Sequence, residues 1–280
     1  MLLGPDVKIK SPVILGVLHV PPFLPPYVSE VSENLLQKIE SFLFSETEKW
    51  IEGGVQGIFI QNGCHFPSSK PASPETLTIL TRFGLKLRER FKVSLGINLE
   101  EHDVEGLTAI ARAIPLDFVR IKVYLGAMVK ADGIVEGCAD KLQKKIWELG
   151  LSSVTTVMAD VYDRTGVPLA AIPLEEMCRQ AVVFGRADAL IITGFSFTES
   201  LEMLKIAKNS SGVPIFLGGS SSVENLRDTF QFADGCVVYS SMVDEDGSLP
   251  LGWRKKVNLE KLKFYVNEAK NAWEESRCRD

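Results

Sequence analysis

The sequence predicts a single (β/α)8 barrel, and three observations carry that prediction. Eight short apolar runs, rich in β-branched residues, alternate with segments of helical period along the chain. The length, 280 residues, suits one such barrel. No G-x-G-x-x-G follows the first run, so the dinucleotide signature of the doubly wound open sheet, which has the same local alternation, is missing.

The runs are residues 13–18 (VILGVL), 55–60 (VQGIFI), 93–99 (VSLGINL), 118–123 (FVRIKV), 154–161 (VTTVMADV), 189–192 (ALII), 213–217 (VPIFL) and 236–238 (CVV). Each is short enough for a strand buried on both faces. A first helix opens at Ser32, runs to about Glu52 and stops at Gly53-Gly54, a C-terminal glycine signal. A second opens at Ser73-Pro74-Glu75, with an N-cap serine and proline at the first helical position. Others are expected near 104–113, 138–149, 174–184, 199–208 and 223–230. The last, capped by Asn258, puts Leu262, Val266, Ala269 and Trp273 on one stripe. No linker or low-complexity tract marks a second domain. One domain over 1–280 is expected, with the barrel at about 12–275. Pro21-Pro22 and Pro25-Pro26 stiffen the loop after the first strand.

Composition excludes several function classes. Lys plus Arg is 31 and Asp plus Glu is 36, a net charge of −5, which argues against binding nucleic acid by phosphate neutralisation. Hydrophobic residues are 45% and charged residues 24%, the mix of a soluble globular protein. Cys64, Cys138, Cys178, Cys236 and Cys278 are odd in number and widely spaced, so reduced thiols are expected rather than disulfides or structural zinc. The stretch MLLGPDVKIK carries no secretory or mitochondrial signature, and no apolar run is long enough for a transmembrane segment. A cytoplasmic location follows as the expectation. A homo-oligomer is compatible with the sequence, though no interface stripe stands out.

In a barrel of this kind the chemistry sits at the C-terminal ends of the strands. Those ends offer His19, Gln61-Asn62, Asn98 with Glu100-Glu101-His102-Asp103, Arg120 and Lys122, Asp160, Thr193-Gly194, Gly218-Gly219-Ser220 and Ser240-Ser241. Arg120 and Lys122 are two apart, so both face the barrel interior, while Val119, Ile121 and Val123 face the helices. Buried cations need anions, and Asp160 on the next strand is the expected partner. This arrangement is either a structural ion pair or an anion-holding Arg120 beside a coupled Lys122–Asp160 acid–base pair.

The strongest local motif is 217–225, LGGSSSVEN. Two glycines follow a strand, a serine-rich turn opens a helix, and Ser221 and Glu224 have capping-box spacing. Such a turn cradles an anion on backbone N–H groups, or needs glycine for backbone geometry alone. Bulky Tyr239 after the eighth strand argues against close approach of a phosphate there. The three histidines, His19, His65 and His102, all fall on the same rim, but their spacings match no metal motif, and no metal or cofactor is expected. The nucleophile elbow at 194–198 lacks its second glycine, and there is no P-loop and no H-E-x-x-H.

Taken together, GVLHVPP at 16–22, GGVQG at 53–57 with Asn62, GIN at 96–98, DFVR at 117–120, GIVEG at 133–137, Asp160-Val161, ADAL at 187–190 with Thr193-Gly194, Glu224-Asn225 and Asp234-Gly235 resemble the BtpA family. The resemblance spans about Pro12 to Val266 and implies a barrel of the phosphate-binding type, with no family-wide substrate. It also marks departures. Gln61 stands where members of that family usually carry Glu, Glu100-Glu101-His102-Asp103 where the usual sequence is Leu-Arg-Asn-Asp, and Lys122 where Asn is usual. The stretch 162–166 (YDRTG) lacks their histidine, Phe197-Thr198 replaces Thr-Gly, and Tyr239 and Val243 replace Gly and Lys.

Two functions follow as expectations. The first is an enzyme-like barrel, a lyase, isomerase or hydrolase, acting on a small anionic metabolite, phosphorylated and sugar- or nucleotide-like. Arg120, Gly218, Gly219, Ser220 and Ser240 would hold the anion, with Asn62, Asn98 and Gly194 lining the ligand, and Asp160, Lys122 and His19 would carry proton transfer. The second is a catalytically decayed barrel used in assembly or regulation.

Overall fold

The computed structural model describes residues 9–65 and 70–278. Eight parallel strands, β1 (Val13–His19), β2 (Gly57–Gln61), β3 (Ser94–Asn98), β4 (Phe118–Ile121), β7 (Thr156–Asp160), β9 (Ala189–Ile192), β10 (Ile215–Leu217) and β11 (Gly235–Val238), close into a barrel. Closure comes from β1, which pairs with β2 on one side and β11 on the other. Around it run α1 (Glu33–Glu52), α2 (Pro74–Arg90), α3 (Val104–Ala113), α4 (Ala139–Glu148), α5 (Leu174–Val183), α6 (Phe197–Ser210), α7 (Leu226–Thr229) and α8 (Leu259–Arg277).

The caps explain where the helices begin. Ser32 accepts from the Leu35 N–H, Ser73 from Thr76 and Asn258 from Lys261, each satisfying an N–H that the first turn leaves unpaired. Asp103 does the same for α3 through Gly106. The expected helix over 223–230 is shorter in kind. A 3-10 turn, Val223–Asn225, leads into the single turn of α7. Its start is fixed by Ser222, whose N–H donates to Asn225, rather than by Ser221 and Glu224. The Ser221 hydroxyl bonds Tyr265 instead, at 2.5 Å.

Two apolar layers form the core. Val13, Leu15, Val17, Phe59, Phe118, Met158, Ile191, Phe216 and Val237 fill the barrel interior. The alternate strand residues, Val119 and Ile121 among them, pack under the helices. Val123 departs from that layer. It lies past the end of β4 and packs with Met128 and Val135 beneath an inserted hairpin. Interior filling depends on glycines opposite large rings. A Cβ on Gly96 would lie 2.2 Å from the Phe118 ring, so that ring occupies the space a side chain would take. Gly96→Ala should cost about 1–3 kcal/mol by overpacking, read by urea unfolding; a cost below about 0.5 kcal/mol would mean that the ring repacks freely.

Two insertions decorate the C-terminal face. β5 (Ala127–Lys130), β6 (Gly133–Glu136) and β8 (Val167–Pro168) form a three-stranded antiparallel sheet in the order β6-β5-β8. β12 (Val243–Glu245) and β13 (Lys255–Val257) form a ribbon leading to α8. The first insertion matters for the site, because it ties the loop after β7 to the loop after β4.

Candidate functional site

The strand ends converge on a hollow of about 400 Å³ at the C-terminal mouth of the barrel. His19, Gln61, Arg120, Lys122, Asp160 and the turn 218–222 line it, with Tyr239, Ser240 and Ser241 beside that turn, where the Ser241 hydroxyl donates to the Ser221 carbonyl at 2.9 Å. Of the residues singled out in the sequence, His19, Arg120, Lys122, Asp160, Gly218, Gly219, Ser220 and Ser240 share this space. Asn98 stands one step back and donates to Glu100. Asn62 is fully buried and Gly194 donates to the Ser200 hydroxyl, so neither lines the hollow.

Three carboxylates and three cations at the mouth pair off. Arg120 grips Asp160 through two bonds, Nε to Oδ1 at 3.0 Å and Nη2 to Oδ2 at 2.8 Å. This fork geometry is the strong form of a charge-assisted hydrogen bond. Asp160 is 3% exposed; burial pushes its carboxyl up, and the Arg120 guanidinium opposes that shift. The expected Lys122–Asp160 pair does not form. Lys122 Nζ instead meets both oxygens of Glu100, at 2.7 and 2.8 Å. Strand register explains the exchange. Phe118 is level with Gly96 on β3 and with Thr156 on β7, so Lys122, carried four residues forward, is level with Glu100 on one side and Asp160 on the other. Arg120, one layer lower and longer, reaches up to take Asp160 and leaves Lys122 to Glu100.

Glu100 is the hub of the β2–β4 side. It also accepts from Gln61 Nε2 at 2.6 Å and from Asn98 Nδ2 at 2.9 Å. Asn62 sets its position from behind. The Asn62 amide donates to both oxygens of Glu101 at 2.9 and 2.8 Å and accepts the Glu100 N–H at 3.0 Å. The third pair is Lys130 of β5 with Asp163 in the loop after β7, at 2.5 Å. Asp163 also accepts the N–H and hydroxyl of Thr165. Burial would raise that carboxyl, and the bonds from Lys130 and Thr165 more than offset it, so it is held low. The loop carrying Arg164 is thereby clamped between Asp163 and Thr165.

Arg164 is the cation left over. Among the described residues it has no carboxylate partner, and its nearest polar contact is the Ser220 hydroxyl at 3.4 Å. Its guanidinium lies over the turn, 3.4 Å from where a Cβ on Gly219 would be. The turn itself has free donors. The Gly218 N–H bonds Ile192 and that of Ser222 bonds Asn225, but those of Gly219, Ser220 and Ser221 reach no acceptor among the described residues. Ser220 holds φ at +60°, a left-handed conformation that turns successive N–H groups to one side. Gly218 has a different reason to be glycine, since a Cβ there would lie 2.1 Å from Thr193 Oγ1. The expected helix contribution is small, because the seven residues 223–229 are too short to carry much dipole.

The histidines separate. His19 lines the hollow, its Nδ1 buried without a partner and its ring edge-on to Tyr239 at 4.3 Å between centroids. Burial lowers it to about 4, with Glu100 pulling the other way, so the imidazole is neutral at pH 7. The Tyr239 side chain therefore packs against His19 at the edge of the hollow. His102, at φ +53°, reaches the Glu136 carbonyl of the hairpin at 2.9 Å. His65 is buried elsewhere. Its Nε2 accepts the Phe23 N–H at 3.2 Å, so Nδ1 carries the proton toward the Asn62 carbonyl. Among the described residues no cluster of three or more His, Cys, Asp or Glu could hold a metal ion.

Burial also lowers His65 to about 4. Its unfolded form titrates near 6.5, so between pH 6.5 and 4 the unfolded chain binds a proton that the folded chain does not. The stability advantage of the wild type over His65→Gln should therefore shrink as the pH falls through that window. Urea unfolding at a series of pH values reads it, and a constant difference would show that His65 protonates in place.

Sequence reasoning missed Arg164, Asp163 and Lys130, and placed Glu100 only as one of four polar rim residues. The run DRT at 163–165 does hold the signal: an Asx turn flanking an arginine just after a barrel strand.

Comparison with known proteins places the chain. The profile described as the BtpA family matches residues 10–271. The chain belongs to the BtpA family. Photosystem I biogenesis protein BtpA of Synechocystis is 29% identical over 233 residues, covering 82% of this chain and 79% of that one. Among solved structures, a dihydropteroate synthetase with bound product superposes at a TM-score of 0.61 with 16% identity, covering 99% of this chain and 100% of that one. N-(5'-phosphoribosyl)anthranilate isomerase of Pyrococcus furiosus superposes at 0.54 with 11% identity, covering 93% and 99%. At these identities the structural likeness establishes the barrel, as the expected (β/α)8 fold, and nothing about its chemistry. Among the described residues of this BtpA-family chain, no helix is long and apolar enough to cross a membrane.

Proposed function

We propose that the mouth of the barrel binds a small phosphorylated metabolite. The observation that carries this reading is Arg164, a guanidinium with no carboxylate partner among the described residues, over a turn whose three consecutive N–H groups reach no acceptor among those residues. A phosphate oxygen placed there receives charge-assisted hydrogen bonds from Arg164 and neutral ones from Gly219, Ser220 and Ser221, with the Ser240 hydroxyl on the neighbouring strand end. The isomerase of similar fold acts, by its name, on a phosphoribosyl compound, which agrees with the reading. Lys122 and Glu100 form the proton-exchanging couple, because Lys122 lines the hollow and is in direct contact with the Glu100 carboxylate behind it. Arg120 and Asp160 brace the floor, and neutral His19 offers the ligand a hydrogen bond without a charge. A thermal-shift titration with inorganic phosphate tests this. Binding to the folded state alone raises the unfolding temperature by mass action, and no rise up to millimolar phosphate would remove the proposal.

A second reading, a binding barrel without catalysis, has one observation in its favour: each of the three mouth carboxylates is held in an ion pair. The name of the Synechocystis relative, a biogenesis protein, agrees with it. Phosphate binding is common to both readings.

A further inference from the structure

Resting on that phosphate-binding reading, the pairing of charges at the mouth bears on the class of ligand. Arg120 is matched by Asp160, Lys122 by Glu100 and Lys130 by Asp163. His19 is neutral, and Arg164 is the one unmatched charge among the described residues lining the hollow. The excess is a single positive charge, and it sits at one corner, over the Gly219 turn. The opposite side is built from Gln61, Lys122 and the Glu100 carboxylate behind them, a surface of amide and ion-pair groups with no cation to spare. We propose that the mouth takes a neutral polar body bearing one phosphate monoester, and rejects diphosphates and bisphosphates.

A second phosphoryl group would lie against Asp160, Asp163 or Glu100, with its counter-charges already engaged. Meeting it would require opening a partly buried ion pair, which leaves a carboxylate uncompensated. A hydroxylated body has no such conflict. Its hydroxyls can accept from the Lys122 ammonium and the Gln61 amide, which line that side of the hollow.

Isothermal titration of the wild-type protein in EDTA tests this with inorganic phosphate against pyrophosphate, and with fructose 6-phosphate against fructose 1,6-bisphosphate. In each pair the singly phosphorylated member should bind at least about tenfold more tightly. In Glu100→Gln, which releases Lys122, that preference should shrink. Equal or tighter binding of the doubly phosphorylated member of either pair in the wild type overturns the inference and leaves phosphate binding standing. Failure of all four probes to bind overturns the phosphate-binding reading together with it.

Discussion

Arg120→Met is expected to lower the unfolding free energy by about 3–5 kcal/mol, among the largest effects of any single side-chain change at the mouth. The cause is Asp160, which is 3% exposed and has both of its oxygens on the Arg120 guanidinium. Methionine preserves the length of the side chain but supplies no donor, so the carboxylate is left buried without a counter-charge. The guanidinium also lies 5.5 Å from the centre of the Phe59 ring, so some packing is lost with it. Urea unfolding at pH 7 reads the loss. The double variant Arg120→Met with Asp160→Leu should recover most of it, because removing both partners leaves nothing unsatisfied. The single variant should also be less impaired at low pH. Without the guanidinium the folded-state carboxyl rises further above its unfolded value, so its destabilisation is present at neutral pH and fades as the carboxyl protonates. A loss under about 1 kcal/mol at pH 7 would mean that water reaches Asp160 and that the pair is no brace.

Arg164→Gln should do the reverse. Arg164 is exposed and makes one long contact with Ser220, so stability should change by no more than about 0.5 kcal/mol. Affinity for inorganic phosphate should drop by about 10–100-fold, the value of a charge-assisted hydrogen bond to a phosphate oxygen. Titration calorimetry and urea unfolding of the same preparation separate the two effects. Two arginines at one mouth would then divide cleanly, one structural and one ligand-binding. Unchanged phosphate affinity in Arg164→Gln would move any anion site away from this turn.

The contrast between the two arginines shows how far the sequence reaches. Alternation places Arg120 and Lys122 on the inward face, and the structure has both lining the hollow. What alternation does not set is which neighbour each cation takes. Lys122 is level with two carboxylates, and the choice turns on the reach of Arg120 from the layer below, a three-dimensional competition with no trace in spacing. The strand runs are legible because their residues are buried on both faces; the GIFIQ segment of β2 is buried throughout. The hairpin β5–β6 is not legible for the opposite reason. Each of its strands buries a single residue, Met128 and Val135, so no period emerges. That hairpin carries Lys130, so the clamp on Asp163, and with it the placement of Arg164, was also out of reach.

Gln61 in place of glutamate reads, along the chain, as a carboxylate lost from the site. In space Glu100 stands 2.6 Å from Gln61 Nε2 and pairs with Lys122, so a carboxylate is present on that side of the mouth, delivered from the end of β3.

A crystal structure of the protein with bound phosphate decides whether the anion lies between Arg164 and the 218–222 turn. Tetrahedral density is expected within hydrogen-bonding distance of the Arg164 guanidinium, the Gly219 and Ser220 N–H groups and the Ser240 hydroxyl, with Arg120 still forked onto Asp160. Phosphate held instead by an Arg120 that has let go of Asp160, or an Arg164 turned away from an anion bound elsewhere, would contradict it.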